Sequence, residues 1–185
     1  MTSAYESQNA LLLIKLNKFY DNFDTVDKML KVITGESKIS LRIVDWFVTN
    51  YAKKHYVVIN VPRENGTERF KVHNEYKLKL DANSKRRFDP FCRRERTNLP
   101  YRDGTHIETT IGQLNFFKWI LENDILSYID ENYADIESDM NSRNSTAKVK
   151  VSVPNNKTRK RREELSVSAT KSIKKEHVEI KIQFN

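Results

Sequence analysis

The sequence predicts an α+β fold: a mostly helical body with a small antiparallel β-sheet, followed by a basic C-terminal extension. Three observations carry this reading. Apolar residues recur every three or four positions through 10–51 and again through 110–140, the spacing of one helix face. A short β-branched run, YVVINV at 56–61, lies between them and is followed by an Asn65-Gly66 turn. Beyond Ser142 the composition shifts to Ser, Asn, Thr, Lys and Arg. Gly and Pro number only four each, which favours long regular elements over a turn-rich sandwich.

The elements follow in order. Leu12, Leu16, Phe19 and Tyr20 predict a helix over 10–20. A second helix begins near Asn22 or Asp24; Val26, Met29, Leu30 and Ile33 share its face, and Gly35 stops it. Ser40 opens a third, with Leu41, Val44, Phe47, Val48 and Tyr51 on one side and Lys53 and Lys54 at its negative end. A strand is expected at 56–61, ended by Pro62, and its hairpin partner at 67–72. Residues 74–86 read as a helix because Leu, Lys, Glu and Ala dominate them, although Tyr76, Leu78 and Leu80 also alternate as in a strand. Residues 87–109 show no clear period, and Asp89-Pro90, Leu99-Pro100 and Asp103-Gly104 mark turns. Thr110 with Gln113 forms a capping box before Leu114, Phe117, Trp119, Ile120 and Leu121. Asn123-Asp124 breaks that helix, and a final one carries Ile125, Ile129, Tyr133, Ile136 and Met140.

This organisation divides the chain into a globular domain, 1–142, and a basic extension, 143–185. The extension holds two alternating stretches read as strands, 148–153 and 177–184, with a mobile linker, 154–176, between them. The two strands are expected to pair with each other or to extend the 56–72 hairpin. Charge follows the same division. Residues 141–185 hold twelve Lys or Arg against four Asp or Glu, the whole +8 of the chain, and leave twenty-one of each sign in 1–140.

Several function classes find no footing. The single cysteine, Cys92, permits no internal disulfide and no multi-cysteine zinc pattern. The four histidines lack metal-ligand spacing, and four scattered glycines cannot build a phosphate-cradling loop. A Cys92–histidine pair, or Asp45 with Glu75, Tyr76 and Lys77 as a nuclease-like set, would need a context the sequence does not supply. No catalytic residue, metal site or cofactor is therefore expected, and the chain reads as non-enzymatic. The apolar run Ala10–Ile14 is too short for a signal peptide or an anchor, so neither secretion nor a membrane partner is expected.

Two features point to nucleic acid. In the run 157–162, Lys157, Arg159, Lys160, Arg161 and Arg162 make five cations in six residues. Such a run neutralises phosphates and releases counterions; it also has the composition of a nuclear localisation signal, or of a merely solvated charge run. The second is 85–102, where Lys85, Arg86, Arg87, Arg93, Arg94, Arg96 and Arg102 face only Asp89 and Glu95, with Phe88, Phe91 and Tyr101 interleaved. Guanidinium forks suit phosphate and rings can stack on bases. The opposing reading docks this loop on the acidic helix, where 122–139 holds seven carboxylates and no cation, with Phe88 and Phe91 as buried anchors. The expected binding residues are Arg86, Arg87, Arg93, Arg94 and Arg96 with the five cations of 157–162; they position phosphate and do not read sequence.

Phe88-Asp-Pro-Phe-Cys-Arg-Arg-Glu-Arg96, followed by Thr109-Thr-Ile-Gly-Gln-Leu-Asn-Phe-Phe-Lys-Trp119, resembles uncharacterised proteins of nucleocytoplasmic large DNA viruses, the giant viruses. Ser40-Leu-Arg-Ile-Val-Asp-Trp-Phe-Val-Thr-Asn-Tyr51 fits the same resemblance, which covers 12–140 and not the tail. It implies a context, a virus that packages large double-stranded DNA, and names no site. The partner expected is then nucleic acid, DNA before RNA, in the host cytoplasm or nucleus or in the virion. A virion structural or assembly protein that binds itself or other virion proteins is the alternative. Arg102-Asp-Gly-Thr-His-Ile107 before the helix of Phe117 and Trp119 also looks like the strand-to-helix passage of the viral KilA-N DNA-binding domain, without the asparagine usual after that strand.

Overall fold

A computed structural model of the chain describes residues 2–64, 66–149 and 174–177, with side chains described over 8–64, 66–102 and 104–143. The fold is α+β: helices form the body, and among the described residues two separate antiparallel sheets lie against it.

Helix α1 spans Thr2–Phe19 and starts eight residues before the apolar periodicity does. Asn22 caps α2 (Phe23–Thr34), its side chain accepting from the Asp24 amide at 2.9 Å, and Gly35 ends it at φ +81°. Val26, Met29, Leu30 and Ile33 are all buried, as their spacing predicts. Ser40 caps α3 (Leu41–Trp46) through the Ile43 amide, at 3.3 Å. The helix then widens into a π-turn, Phe47–Tyr51, before α4 (Ala52–Lys54). One helix was expected here; the inserted turn keeps Phe47, Val48 and Tyr51 buried on the same side.

The first sheet is the predicted hairpin, β1 (Val58–Arg63) with β2 (Gly66–Lys71). Two boundaries differ. Tyr56 and Val57 belong to the cap of α4, and β1 runs through Pro62 to Arg63. A two-stranded ribbon has two open edges, so a proline lacking its N–H breaks no second ladder. The hairpin leads into α5 (Val72–Arg87), whose backbone departs from helical geometry at Ser84 (φ +60°, ψ 165°).

The region without clear periodicity contains two strands, β3 (Arg96–Pro100) and β4 (Thr105–Thr110), linked by a 3-10 turn at Arg102–Gly104. They pair antiparallel, with Leu99 opposite Ile107. Leu99 is the sole buried residue of β3, which is too little alternation to recognise from sequence. The third strand of this sheet is β5 (Lys174–His177), antiparallel to β4, with Thr105 opposite His177 and Glu108 opposite Lys174. Thus 174–176, assigned from sequence to the linker, form a strand, and the partner is β4 and not the 56–72 hairpin. Of the expected strand 177–184, His177 alone is described. The expected strand 148–153 meets α8 at Lys148 and Val149, which are helical; its other residues, and the run 157–162, lie outside the described residues.

The centre of the body is α6 (Ile111–Glu122). Eight of its twelve residues are buried, among them Leu114, Phe116, Phe117, Trp119 and Ile120. Thr110 caps it, its hydroxyl accepting from the Gln113 amide at 3.2 Å, while Gln113 turns its side-chain oxygen to the Thr109 hydroxyl at 3.0 Å. Tyr20, just after α1, donates to the Leu114 carbonyl at 2.7 Å. Arg63 reaches from β1 to the C-terminal end of α6, bonding the Glu122 carbonyl at 3.1 Å and Asn123 Oδ1 at 2.6 Å, where a cation meets the negative end of the helix dipole. The predicted break at Asn123-Asp124 is present. The single final helix divides at Asn132 into α7 (Ile125–Glu131) and α8 (Tyr133–Val149); the Asn132 side chain caps back on the Tyr128 carbonyl at 2.9 Å.

One close approach sets the geometry at the start of α6. A Cβ at Gly112 would lie 2.9 Å from Cys92 Cβ, 3.0 Å from the Asp89 carbonyl oxygen and 3.1 Å from that of Arg86. Two of those three atoms are backbone and cannot rotate away. Gly112→Ala is expected to lower the unfolding free energy by about 1–3 kcal/mol through overpacking, measured by urea unfolding.

Candidate nucleic-acid interface

The segment from Arg86 to Arg96 lies over the N-terminal end of α6, and its backbone is tied there. Asn115 donates to the Arg87 carbonyl at 2.8 Å, Thr110 Oγ1 to the Cys92 carbonyl at 3.1 Å, and the Ile111 amide to the Glu95 carbonyl at 3.2 Å. Asp89 Oδ1 accepts from the Phe91 amide at 2.8 Å, and its carbonyl from the Cys92 amide at 3.2 Å, which folds the Asp-Pro turn on itself. Phe88 is the anchor. It is 1% exposed and sits among Phe116, Trp119 and Tyr76, with ring centroids 5.6–6.0 Å away. Phe91 is half-buried against the same core.

With its carbonyls drawn inward, the segment turns its cations outward. Arg86, Arg93, Arg94 and Arg96 are exposed, and Arg87 is half-buried. Arg96 pairs with Glu108 across the β3–β4 ladder, and Arg87 donates to Gln8 of α1 at 3.1 Å. Glu95 accepts from Asn9 at 3.3 Å, and Arg102 is salt-bridged to Asp27 at 2.6 Å. For Arg86, Arg93 and Arg94 no side-chain partner is found among the described residues. The acidic helices take their cations from elsewhere: Asp130 from Lys38 at 3.7 Å, Asp139 from Lys54, and Glu122 from Lys118. So Phe88 anchors the loop as the docking alternative expects, while the recorded partners of the arginines lie on α1, α2 and β4.

Helix α5 extends this charge. Lys71, Lys77, Lys79, Lys85 and Arg86 are exposed along it, with Asp81 as the exposed acid. Twelve residues precede the break at Ser84, roughly 18 Å of helix at about 1.5 Å per residue, and Lys85 and Arg86 follow it into the arginine segment. The register of β5 matters here too. Lys174 lies opposite Glu108, which pairs with Arg96, so the chain enters this strand from the arginine end of the sheet.

On the buried side of the segment Asp89 joins Asp45 and Tyr76, a neighbour that sequence spacing did not connect to them. Burial, with Asp89 beside it, pushes the Asp45 carboxyl up to about 6, and burial with both carboxylates nearby pushes the Tyr76 phenol up to about 12. Asp89 is itself raised, chiefly by burial. Asp45 and Asp89 thus both bear on Tyr76, while Glu75 lines a different cleft with Arg63 and Lys79. Cys92 directs its sulfur to the carbonyls of Arg86 and Arg94, at 3.4 and 3.8 Å, and burial raises its thiol, which disfavours the thiolate. The described residues contain no cluster of three or more metal-ligating side chains, and no helix among them is long and apolar enough to cross a membrane.

The Asp45 shift carries a pH dependence. An exposed Asp ionises near ~3.9, so ionising Asp45 opposes folding. The cost is absent below about pH 4, grows as pH rises towards 6, and is complete above it. Asp45→Asn is expected to raise stability by about 1–3 kcal/mol at pH 8 and to change it little at pH 4, read from urea unfolding at both pH values.

The chain matches a protein family described as a family of unknown function, DUF7197, over residues 3–170. It is 44% identical over 135 residues to the uncharacterized protein L507 of Acanthamoeba polyphaga mimivirus, a giant virus. That alignment covers 70% of this chain and 52% of the relative, so the chain spans about half the length of the curated relative it matches. No solved structure matches. A match along most of its length, together with a giant-virus relative of this identity, shows that the chain belongs to the DUF7197 family.

Proposed function

We propose that this chain is a non-enzymatic nucleic-acid-binding protein that grips phosphate without reading sequence, and that it works in the host cytoplasm or nucleus or in the virion. The observation that carries the reading is the outward set Arg86, Arg93 and Arg94, held by a loop whose backbone is spent on α6. A backbone held this way loses less freedom on binding than that of a mobile arm. Arg87 and Arg96 flank the set. Lys157, Arg159, Lys160, Arg161 and Arg162 act as an electrostatic arm on the same chain. DNA is placed before RNA because the giant viruses this sequence resembles carry DNA. Of the likeness to the KilA-N domain, the reading keeps only the passage from β4 into α6. A helix with eight of twelve residues buried has no face to lay in a groove, so the contacts proposed here come from the loop before it.

A second reading, a virion structural or assembly protein acting through protein–protein contacts, draws on charge segregation. The acidic stretch 122–139, from the end of α6 through α7 into α8, and the basic C-terminal extension would be complementary surfaces on neighbouring copies. Self-association without nucleic acid in sedimentation, with no binding to nucleic acid at low salt, would put this reading first.

The test is binding to mixed-sequence DNA duplex, single strand and RNA across a salt series. Affinity is expected to fall steeply with salt for the wild type. Arg93→Gln with Arg94→Gln should flatten the log–log salt slope by about two, one for each lost phosphate contact. Replacing the five cations of 157–162 with Gln should flatten it further. No detectable binding at low salt overturns the reading.

A further inference from the structure

We infer that the cleft between α4, the start of α5 and α8 holds one unpaired nucleotide of a single-stranded nucleic acid, its phosphate at Lys53 and Lys71 and its base on Tyr56. This rests on the nucleic-acid reading and narrows it, since a base inside a duplex is stacked on its neighbours and offers no face to a protein ring.

The cleft has a volume of about 840 Å³, inside the range of roughly 300–1,000 Å³ usual for ligand pockets. Its charged lining is wholly cationic: Lys53 and Lys54 from α4, Lys71 from the end of β2, and Arg143 from α8. Two other clefts on the described surface carry both signs, one with Lys28 beside Asp124 and Asp130, the other with Arg63 and Lys79 beside Glu68, Glu75 and Glu122. Lys54 is committed to Asp139, a carboxylate that also accepts from the Trp46 indole at 3.1 Å. Arg143 donates to Asn50 at 3.2 Å and lies over the Trp46 ring at 5.7 Å. These two form a held wall. Lys53 and Lys71 are exposed, and neither has a recorded side-chain partner among the described residues. The π-turn shapes the floor, because His73 Nδ1 donates to the Val48 carbonyl at 3.1 Å and so leaves Nε2 unoccupied by that contact.

Two residues at this cleft go against local preference. Tyr56 ends α4 in the left-handed region, at φ +52°, where glycine is the usual residue. The cap is otherwise regular, with the Val57 amide bonded to the Ala52 carbonyl at 3.1 Å. The ring gains no burial in return, for Tyr56 is 87% exposed. The second is Lys71, which stands at the N-cap of α5, gives that helix no side-chain cap, and sets a cation at its positive end. Glu75 in the first turn offsets part of this, although its side chain lines the neighbouring cleft with Arg63 and Lys79. A phosphate between Lys53 and Lys71 satisfies the cations and meets the start of α5, and a stacked base gives the exposed ring its surface.

The experiment uses the full chain and labelled oligo(dT), a blunt duplex of equal length, and dTMP, at low salt. Tyr56→Gly relieves the left-handed strain, so its melting temperature should not fall by more than a few degrees, and the variant remains a fair binding partner. It should bind oligo(dT) about tenfold more weakly, as loss of one stacked base does, with duplex affinity unchanged. Lys53→Ala with Lys71→Ala should weaken oligo(dT) binding by a comparable factor. The inference is overturned, and the wider reading kept, if both variants bind oligo(dT) like wild type while Arg93→Gln with Arg94→Gln does not. It is also overturned if Tyr56→Gly abolishes dTMP binding and leaves oligo(dT) binding unchanged, because the cleft then serves a free nucleotide. Wild-type protein that binds neither strand nor duplex removes both readings together.

Discussion

The burial of α6 is the constraint around which the other elements are arranged. A helix carrying Leu114, Phe116, Phe117, Trp119 and Ile120 within two turns is apolar over more than half its circumference. It must be covered on several sides, and it is: α1 covers it through Tyr20 just after its end, α5 and the arginine segment through Phe88 and Asn115, and the hairpin through Phe70 and Arg63. Each covering element also supplies a polar group to the helix or takes one from it, so apolar burial and hydrogen bonding point to the same arrangement.

That arrangement decides where charge can go. The loop from Arg86 to Arg96 gives its carbonyls to the start of α6 and passes close enough to Gly112 that the two backbones nearly touch. A loop seated so tightly has one open side, and its arginines occupy it. Asp45 and Asp89 lie on the inner side, where loss of water raises both. Positive charge therefore gathers along α5 and on the arginine segment, while the seven carboxylates of 122–139 lie on the end of α6, on α7 and on the first turns of α8. The twenty-one charges of each sign in 1–140 are thus sorted unevenly over the elements.

Legibility in the sequence followed the strength of the local signal. The helices with a clean apolar stripe and a capping residue appear where expected: Asn22 to Gly35, Ser40 onward, Thr110 onward. The hairpin followed from its β-branched run and its Asn-Gly turn. The strands β3 and β4 did not show, because pairing across the ladder and not alternation holds them: Leu99 opposite Ile107 is their main apolar pair. Nor did the division at Asn132, since α7 and α8 continue one apolar stripe across it. For the site, the arginine-rich segment was visible as composition, and so was Phe88 as its anchor. The partners were not visible. That Arg96 meets Glu108, that Arg87 meets Gln8, and that Arg86, Arg93 and Arg94 face outward are facts of strand register and loop seating.

The basic cleft marks the same boundary from the other side. Lys53, Tyr56, Lys71 and Arg143 are spread over ninety residues, and nothing in their spacing joins them; the π-turn, the α4 cap and the return of α8 bring them to one place. The sequence by itself determined the α+β class, the main helices and hairpin, and the concentration of net charge in the tail, because periodicity, caps, turns and composition are local properties. The tertiary structure decided which cations are paired, which carboxylates are buried and which distant side chains share a cleft, because those depend on contacts between elements that chain order does not specify.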